Sequence, residues 1–222
     1  KTVHDNLGFD NYYFLEDYED ANRTDDYFFA KVKELYAGRD RSAPYFMYNL
    51  SYENHGPYPT DYTGEKAYIR RGNLSEEGYN ILNNYLTGVA GTAQKVHDFV
   101  DWLREDETPV VLVLFGDHKP WLGNGCSVYH ELGVNIDTST PEGFYNFYST
   151  PYIIWANDAA KEVLGRDFTG YGGVFSPNFL MNELFRQCGW TGNAWMQITD
   201  DFRENVDVIS TAAVYFRENG AY

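Results

Sequence analysis

Seven residues, PVVLVLF from Pro109 to Phe115, run directly into Gly116, Asp117 and His118. A continuous apolar run of this length suits a strand covered on both faces, the pattern of a parallel sheet. Such a strand needs helices above and below it, which points to a layered α/β fold. PYIIWAN at 151–157 has the same character. A third candidate strand is Tyr45–Leu50, within APYFMYNLSY, which breaks at Glu53-Asn54-His55-Gly56-Pro57.

Helical periodicity supplies the covering layers. Phe28, Val32 and Leu35 recur at helical spacing between Thr24, a fitting N-cap, and Gly38, a stop. From about Ser75 to Glu105, Leu82, Leu86, Val89, Ala93, Val96, Val100 and Leu103 form one apolar stripe of a long helix. Ser176 and Pro177 open a further helix that Gly189 ends. The expected fold is therefore a layered, mostly parallel sheet flanked by helices. The loop from Trp121 to Thr150 lies on its rim, and the stretch from about 190 to 222 reads as edge strands, a hairpin or a tail.

Ligands of open α/β sheets collect beyond the carboxyl ends of the strands, which singles out Asp117-His118 and His55. Neighbouring strand residues point to opposite faces, so Asp117 and His118 share a metal only if the chain has left its pleat, a turn Gly116 permits. A carboxylate with an imidazole suits Mn, Zn or Fe better than Ca. The same dipeptide also arises as a capping Asp beside a surface His. His55 in its N-H-G-P turn either bonds its own loop or serves as a companion that binds a phosphate oxygen or shuttles a proton. His97 falls off the apolar stripe, and His4 and His130 lie in surface segments; none of the three is given a role.

Charge narrows the partners. Seventeen basic against 33 acidic side chains leave a net charge of -16, which repels polyanions and excludes nucleic acid. The aromatic load, with 20 Tyr and 5 Trp, is compatible with surfaces that face sugars or lipid headgroups. Cys126 and Cys188 lie far apart and match no C-x-x-C pattern, which leaves either two unpaired thiols or a single disulfide. No apolar stretch approaches the ~20 residues of a membrane span.

NLSYENHGPYP, VVLVLFGDHKPWLG, YSTPYIIWAN and SPNFLMNELFRQCGW, in this order from about Leu7 to Trp190, resemble the lipoteichoic acid synthase family of the alkaline phosphatase superfamily. The G-D-H-x-P-x-L-G block is the most specific. The resemblance implies the carboxy-terminal portion of a sulfatase-like catalytic domain spanning 1–222. It also implies a membrane-anchored bacterial enzyme at the extracellular face, handling a phosphoglycerol-bearing lipid or glycan with a divalent metal, Mn foremost. On that pattern Asp117 and His118 bind the metal and His55 contacts substrate. The threonine nucleophile, another metal-binding Glu and the membrane-anchoring segments are expected upstream of Lys1, leaving this portion inactive alone.

Two other functions stay open. A sulfatase of the same superfamily needs a modified Cys or Ser in C/S-x-P-x-R, a context that neither Cys126 nor Cys188 has. A non-catalytic module that binds cell-wall glycans would account for the aromatic load without any turnover.

Overall fold

The computed structural model describes residues 5–209 and the backbone of 215–217 and 220–221. The chain divides into two compact units, residues 1–99 and 100–222. His4 lies outside the described residues.

The first unit contains helix α1 (Asp25–Ala37) and most of helix α2 (Glu76–Arg104), close to the expected bounds. Thr24 caps α1 by accepting from the Tyr27 amide. The buried Asp25 carboxylate accepts from the Thr92 hydroxyl at 2.6 Å, and its amide donates to Glu53, so α1, α2 and the 53 loop are locked together. Asn side chains along α2, outside its apolar stripe, have a structural task. Asn84 donates to the Pro59 and Asp61 carbonyls, Asn80 to Thr60, and the fully buried Asn83 accepts from the Tyr68 amide. These amides satisfy backbone groups of a long loop that has no ladder of its own.

Tyr45–Leu50 corrects an expectation. It is not a strand: no partner pairs with it among the described residues, and Phe46 and Leu50 are 64% and 69% exposed. β-propensity measures how well a side chain fits a paired, half-buried surface, and it yields no strand where no neighbouring strand supplies one.

The second unit is built on strands β1 (Val111–Phe115) and β2 (Tyr152–Ala156). The expected α/β class is observed, but β1 and β2 pair antiparallel, Val113 opposite Ile154. Nor is β1 covered on both faces as its apolar run suggests: its residues are half-buried and Phe115 is 46% exposed, while pairing direction is set by how the chain returns. Here it returns through helices α3 (Ser127–Glu131) and α4 (Pro141–Tyr148). Helix α5 (Asp158–Leu164) follows β2, capped by Asn157. A short 3-10 turn at Pro177–Phe179 then leads into α6 (Leu180–Cys188). Ser176 does not cap that turn; its hydroxyl accepts from the Ile209 amide at 2.7 Å and so fastens strand β3 (Val208–Ile209).

The stretch from 190 onward is helical before it is extended. Helix α7 (Ala194–Arg203) precedes β3, which pairs antiparallel with β4 (Tyr215–Arg217) and that with β5 (Gly220–Ala221). Asn193 caps α7 by accepting from Met196, and a local cap of this kind overrides the tail reading. Between α6 and α7 the buried carboxylate of Glu183 meets the buried guanidinium of Arg203 at 2.6 Å, and Gln187 donates to its other oxygen. Both cysteines are free and buried, and burial pushes their thiol pKa values up. No helix among the described residues is long and apolar enough to cross a membrane.

Candidate functional site

In the first unit, the loop carrying His55 is fastened to α2. Gly88 on α2 has no side chain because a Cβ there would overlap Asn54, whose amide reaches toward the Tyr85 carbonyl at 3.4 Å. Tyr58 donates to the Asn54 carbonyl at 2.8 Å and packs edge-on to Tyr85 at 5.5 Å. Burial, with a smaller contribution from Tyr85, pushes the Tyr58 phenol up to about 12, so it stays a neutral donor.

His55 is exposed on this anchored loop. Its Nδ1 faces the Gly56 carbonyl oxygen at 2.8 Å. A carbonyl only accepts, so Nδ1 carries the proton and Nε2 is the acceptor nitrogen of the neutral ring. The imidazole stacks on Tyr52 with centroids 5.0 Å apart and planes within 11°. The Arg23 guanidinium lies 4.6 Å from the same Tyr52 ring. Arg23 and Tyr52 were not singled out from sequence. Tyr52, three residues before His55, was within reach of sequence reasoning; Arg23, remote in the chain, had no such signal.

In the second unit, Gly116 still belongs to the sheet: its amide donates to Pro151 at 3.1 Å and its carbonyl accepts from Thr150. The chain leaves the pleat after Gly116, and this brings Asp117 and His118 to the same side. The His118 amide donates to Asp117 Oδ1 at 2.8 Å, and Nε2 of His118 lies 3.4 Å from Asp117 Oδ2. His118 Nδ1 donates to the Lys119 carbonyl at 2.9 Å, which orients the ring with Nε2 on the side of the carboxylate.

This donor set fits part of a metal site. Two donors bound at ~2.1 Å with a tetrahedral angle sit ~3.4 Å apart, the separation found here. A ring N–H held by a backbone carbonyl is the usual second support of a metal-binding imidazole. The set is incomplete, since no group of three or more His, Cys, Asp or Glu gathers among the described residues. His97 and His130 are exposed, as expected, and Lys119 is half-buried.

Comparison with known proteins identifies the family. Over 150 residues the chain is 26% identical to a Rhizobium meliloti (strain 1021) protein named "Putative cyclic beta-1,2-glucan modification protein". The match covers 66% of this chain and 22% of that protein's length. No solved structure matches. The model of the Sulfatase family matches residues 1–212, nearly the whole chain, and the chain therefore belongs to the sulfatase family of the alkaline phosphatase superfamily.

Proposed function

We propose that this chain is part of a bacterial enzyme that transfers or hydrolyses phosphoglycerol on a cell-envelope glycan or lipid headgroup at the extracellular face of the membrane. In this reading Asp117 and His118 hold a divalent ion, Mn foremost, and His55 contacts the substrate. One observation carries it: His118, held through Nδ1 by the Lys119 carbonyl, sets Nε2 beside Asp117 Oδ2 at 3.4 Å. An ion held there would supply Lewis-acid polarisation of a phosphoryl oxygen. His55, oriented by the contact of Nδ1 with the Gly56 carbonyl, would contact a substrate hydroxyl or carry a proton. The name of the Rhizobium relative supports a glucan as the modified polymer.

Sulfate-ester hydrolysis is the second reading, favoured by the family's own description. The full-length protein that carries this chain separates the two when assayed with Mn on a phosphoglycerol diester and on an aryl sulfate. Phosphodiester turnover is expected, with His118→Ala lowering it at least ~100-fold, the scale of losing several kcal/mol of metal stabilisation. Turnover retained in His118→Ala overturns the site, turnover of the sulfate alone overturns the substrate, and no turnover of either favours a binding module.

A further inference from the structure

The connection between α6 and α7 forms a cleft of about 330 Å³, lined among others by Phe185, Arg186, Trp190, Gln197, Asp200 and Asp201. Its size falls at the lower end of the ~300–1,000 Å³ usual for small-ligand sites. It is separate in sequence and in lining residues from Asp117 and His118, and the phosphotransfer reading leaves it unused.

The local fold makes this cleft rigid. Gly189 ends α6 in the left-handed region, and the Trp190 amide returns to the Phe185 carbonyl at 2.8 Å. That turn lays the Trp190 ring against Phe185 with centroids 5.4 Å apart and planes at 88°, while leaving Trp190 half exposed. Gly192, at φ +74, lets the loop close: a Cβ there would sit 2.7 Å from Met196 and 2.9 Å from Phe185. Buried Asn182 donates across to the Met196 carbonyl at 2.8 Å and pins the two helices together.

The lining selects its ligand by chemistry. A half-exposed indole held by a second ring offers a flat surface with a negative face, which attracts the weakly positive C–H groups of a sugar ring. Around it stand a carboxamide, a guanidinium and two carboxylates, groups with the paired donors and acceptors that vicinal hydroxyls require. Charge argues against an anion. Arg186 is committed to Asp200 at 2.9 Å, and Asp201 leaves the lining net negative in a chain of net charge -16. A cation would call for more than the single uncommitted carboxylate.

We infer that this α6–α7 cleft is a binding site for a neutral sugar unit, placed to hold a glycan chain. The sugar chemistry stands on the lining alone; the choice of a β-1,2-glucan as its source rests on the function proposed above.

Isothermal titration of the whole chain with neutral cyclic β-1,2-glucan, laminarihexaose and phosphocholine tests the site without metal or turnover. Saturable binding of a glucan is expected, with Kd in the ~0.1–1 mM range of a small, shallow contact. Trp190→Ala should weaken it at least ~10-fold and Trp190→Phe by no more than ~3-fold, as fits an aromatic platform. Because Trp190→Ala also removes packing on Phe185, Asp201→Ala is the second variant: its exposed carboxylate makes no packing contribution, and ~3-fold or greater weakening is expected. Tyr171→Ala, an 82% exposed ring outside the cleft, should bind as the parent does.

Binding of laminarihexaose alone supports the sugar site and removes the β-1,2-glucan from the proposed function. Three results overturn the site: no saturation by either glucan at ~20 mM, tighter binding of phosphocholine, or unchanged affinity in both Trp190→Ala and Asp201→Ala.

Discussion

Nε2 of His118 faces Oδ2 of Asp117 across 3.4 Å while the other ring nitrogen is held by the Lys119 carbonyl. Neighbours in sequence are thereby made neighbours in space by one step out of the sheet after Gly116. The two side chains are 60% and 62% exposed, so little of the fold depends on them.

The first prediction follows from that exposure. His118→Ala and Asp117→Ala should leave unfolding free energy within about 0.5 kcal/mol of the parent, as surface substitutions do. Calorimetry on the 222-residue chain should find no sub-micromolar Mn site, because two donors form about half of a usual ligand set. A tight site, or a large loss of stability in either variant, would contradict a partial metal site at the surface.

Asn157 is the opposite case, a buried polar side chain that supports structure. It is 1% exposed, and Oδ1 accepts from the Val110 and Ala160 amides while Nδ2 donates to the Asp106 and Thr108 carbonyls. It caps α5 and fastens the entry of β1 with one side chain. Asn157→Ala should cost about 3 kcal/mol in urea denaturation, a lost cap plus unsatisfied buried groups. Asn157→Asp should also destabilise, since it keeps both acceptor bonds but sets a carboxylate against two carbonyls. Its loss should shrink on acidification, when the protonated carboxyl regains a donor.

What was legible in sequence follows the range of the forces involved. Helices α1 and α2 could be read because a cap and an apolar stripe are local, and β1 and β2 because an apolar run is. Their antiparallel pairing could not be read, as direction depends on the route of residues 116–151. Tyr45–Leu50 misled because its rings meet other rings, Phe46 with Phe9 and Tyr45 with Tyr36, rather than a neighbouring strand. Helix α7 was hidden by the β-like residues after it. Asp117 and His118 were visible as an adjacent pair, whereas the contacts of Asn157 and Arg23 with remote segments exist only in three dimensions.

Alkaline pH should destabilise both units through buried phenols. Burial pushes Tyr58 in the first unit and Tyr152 in the second up to about 12 from an ordinary 10.0. The folded state therefore favours the neutral phenol. Below pH 10 folded and unfolded phenols are both protonated and this contribution is fully present. Between pH 10 and about 12 the unfolded phenol ionises first, so stability falls. Urea midpoints should drop over that window, with tyrosinate absorbance rising at the unfolding transition. Tyr58→Phe and Tyr152→Phe should each flatten the decline relative to the parent; an unchanged slope in both would assign it to other groups.

The stack of His55 on Tyr52 should be felt in substrate binding. Tyr52 makes no hydrogen bond to the imidazole; it limits the ring's orientation while Gly56 holds Nδ1. An aromatic contact of this kind contributes about 0.5–1.5 kcal/mol, or ~2- to 12-fold in an equilibrium. In the full-length protein, Tyr52→Ala should raise KM by that factor with kcat within ~2-fold, because a positioning residue for a substrate contact acts in ground state and transition state alike. Tyr52→Phe preserves the stack and should restore the parent KM. A kcat that falls in parallel with kcat/KM at constant KM would instead put His55 in the chemical step, as the proton carrier rather than the substrate contact.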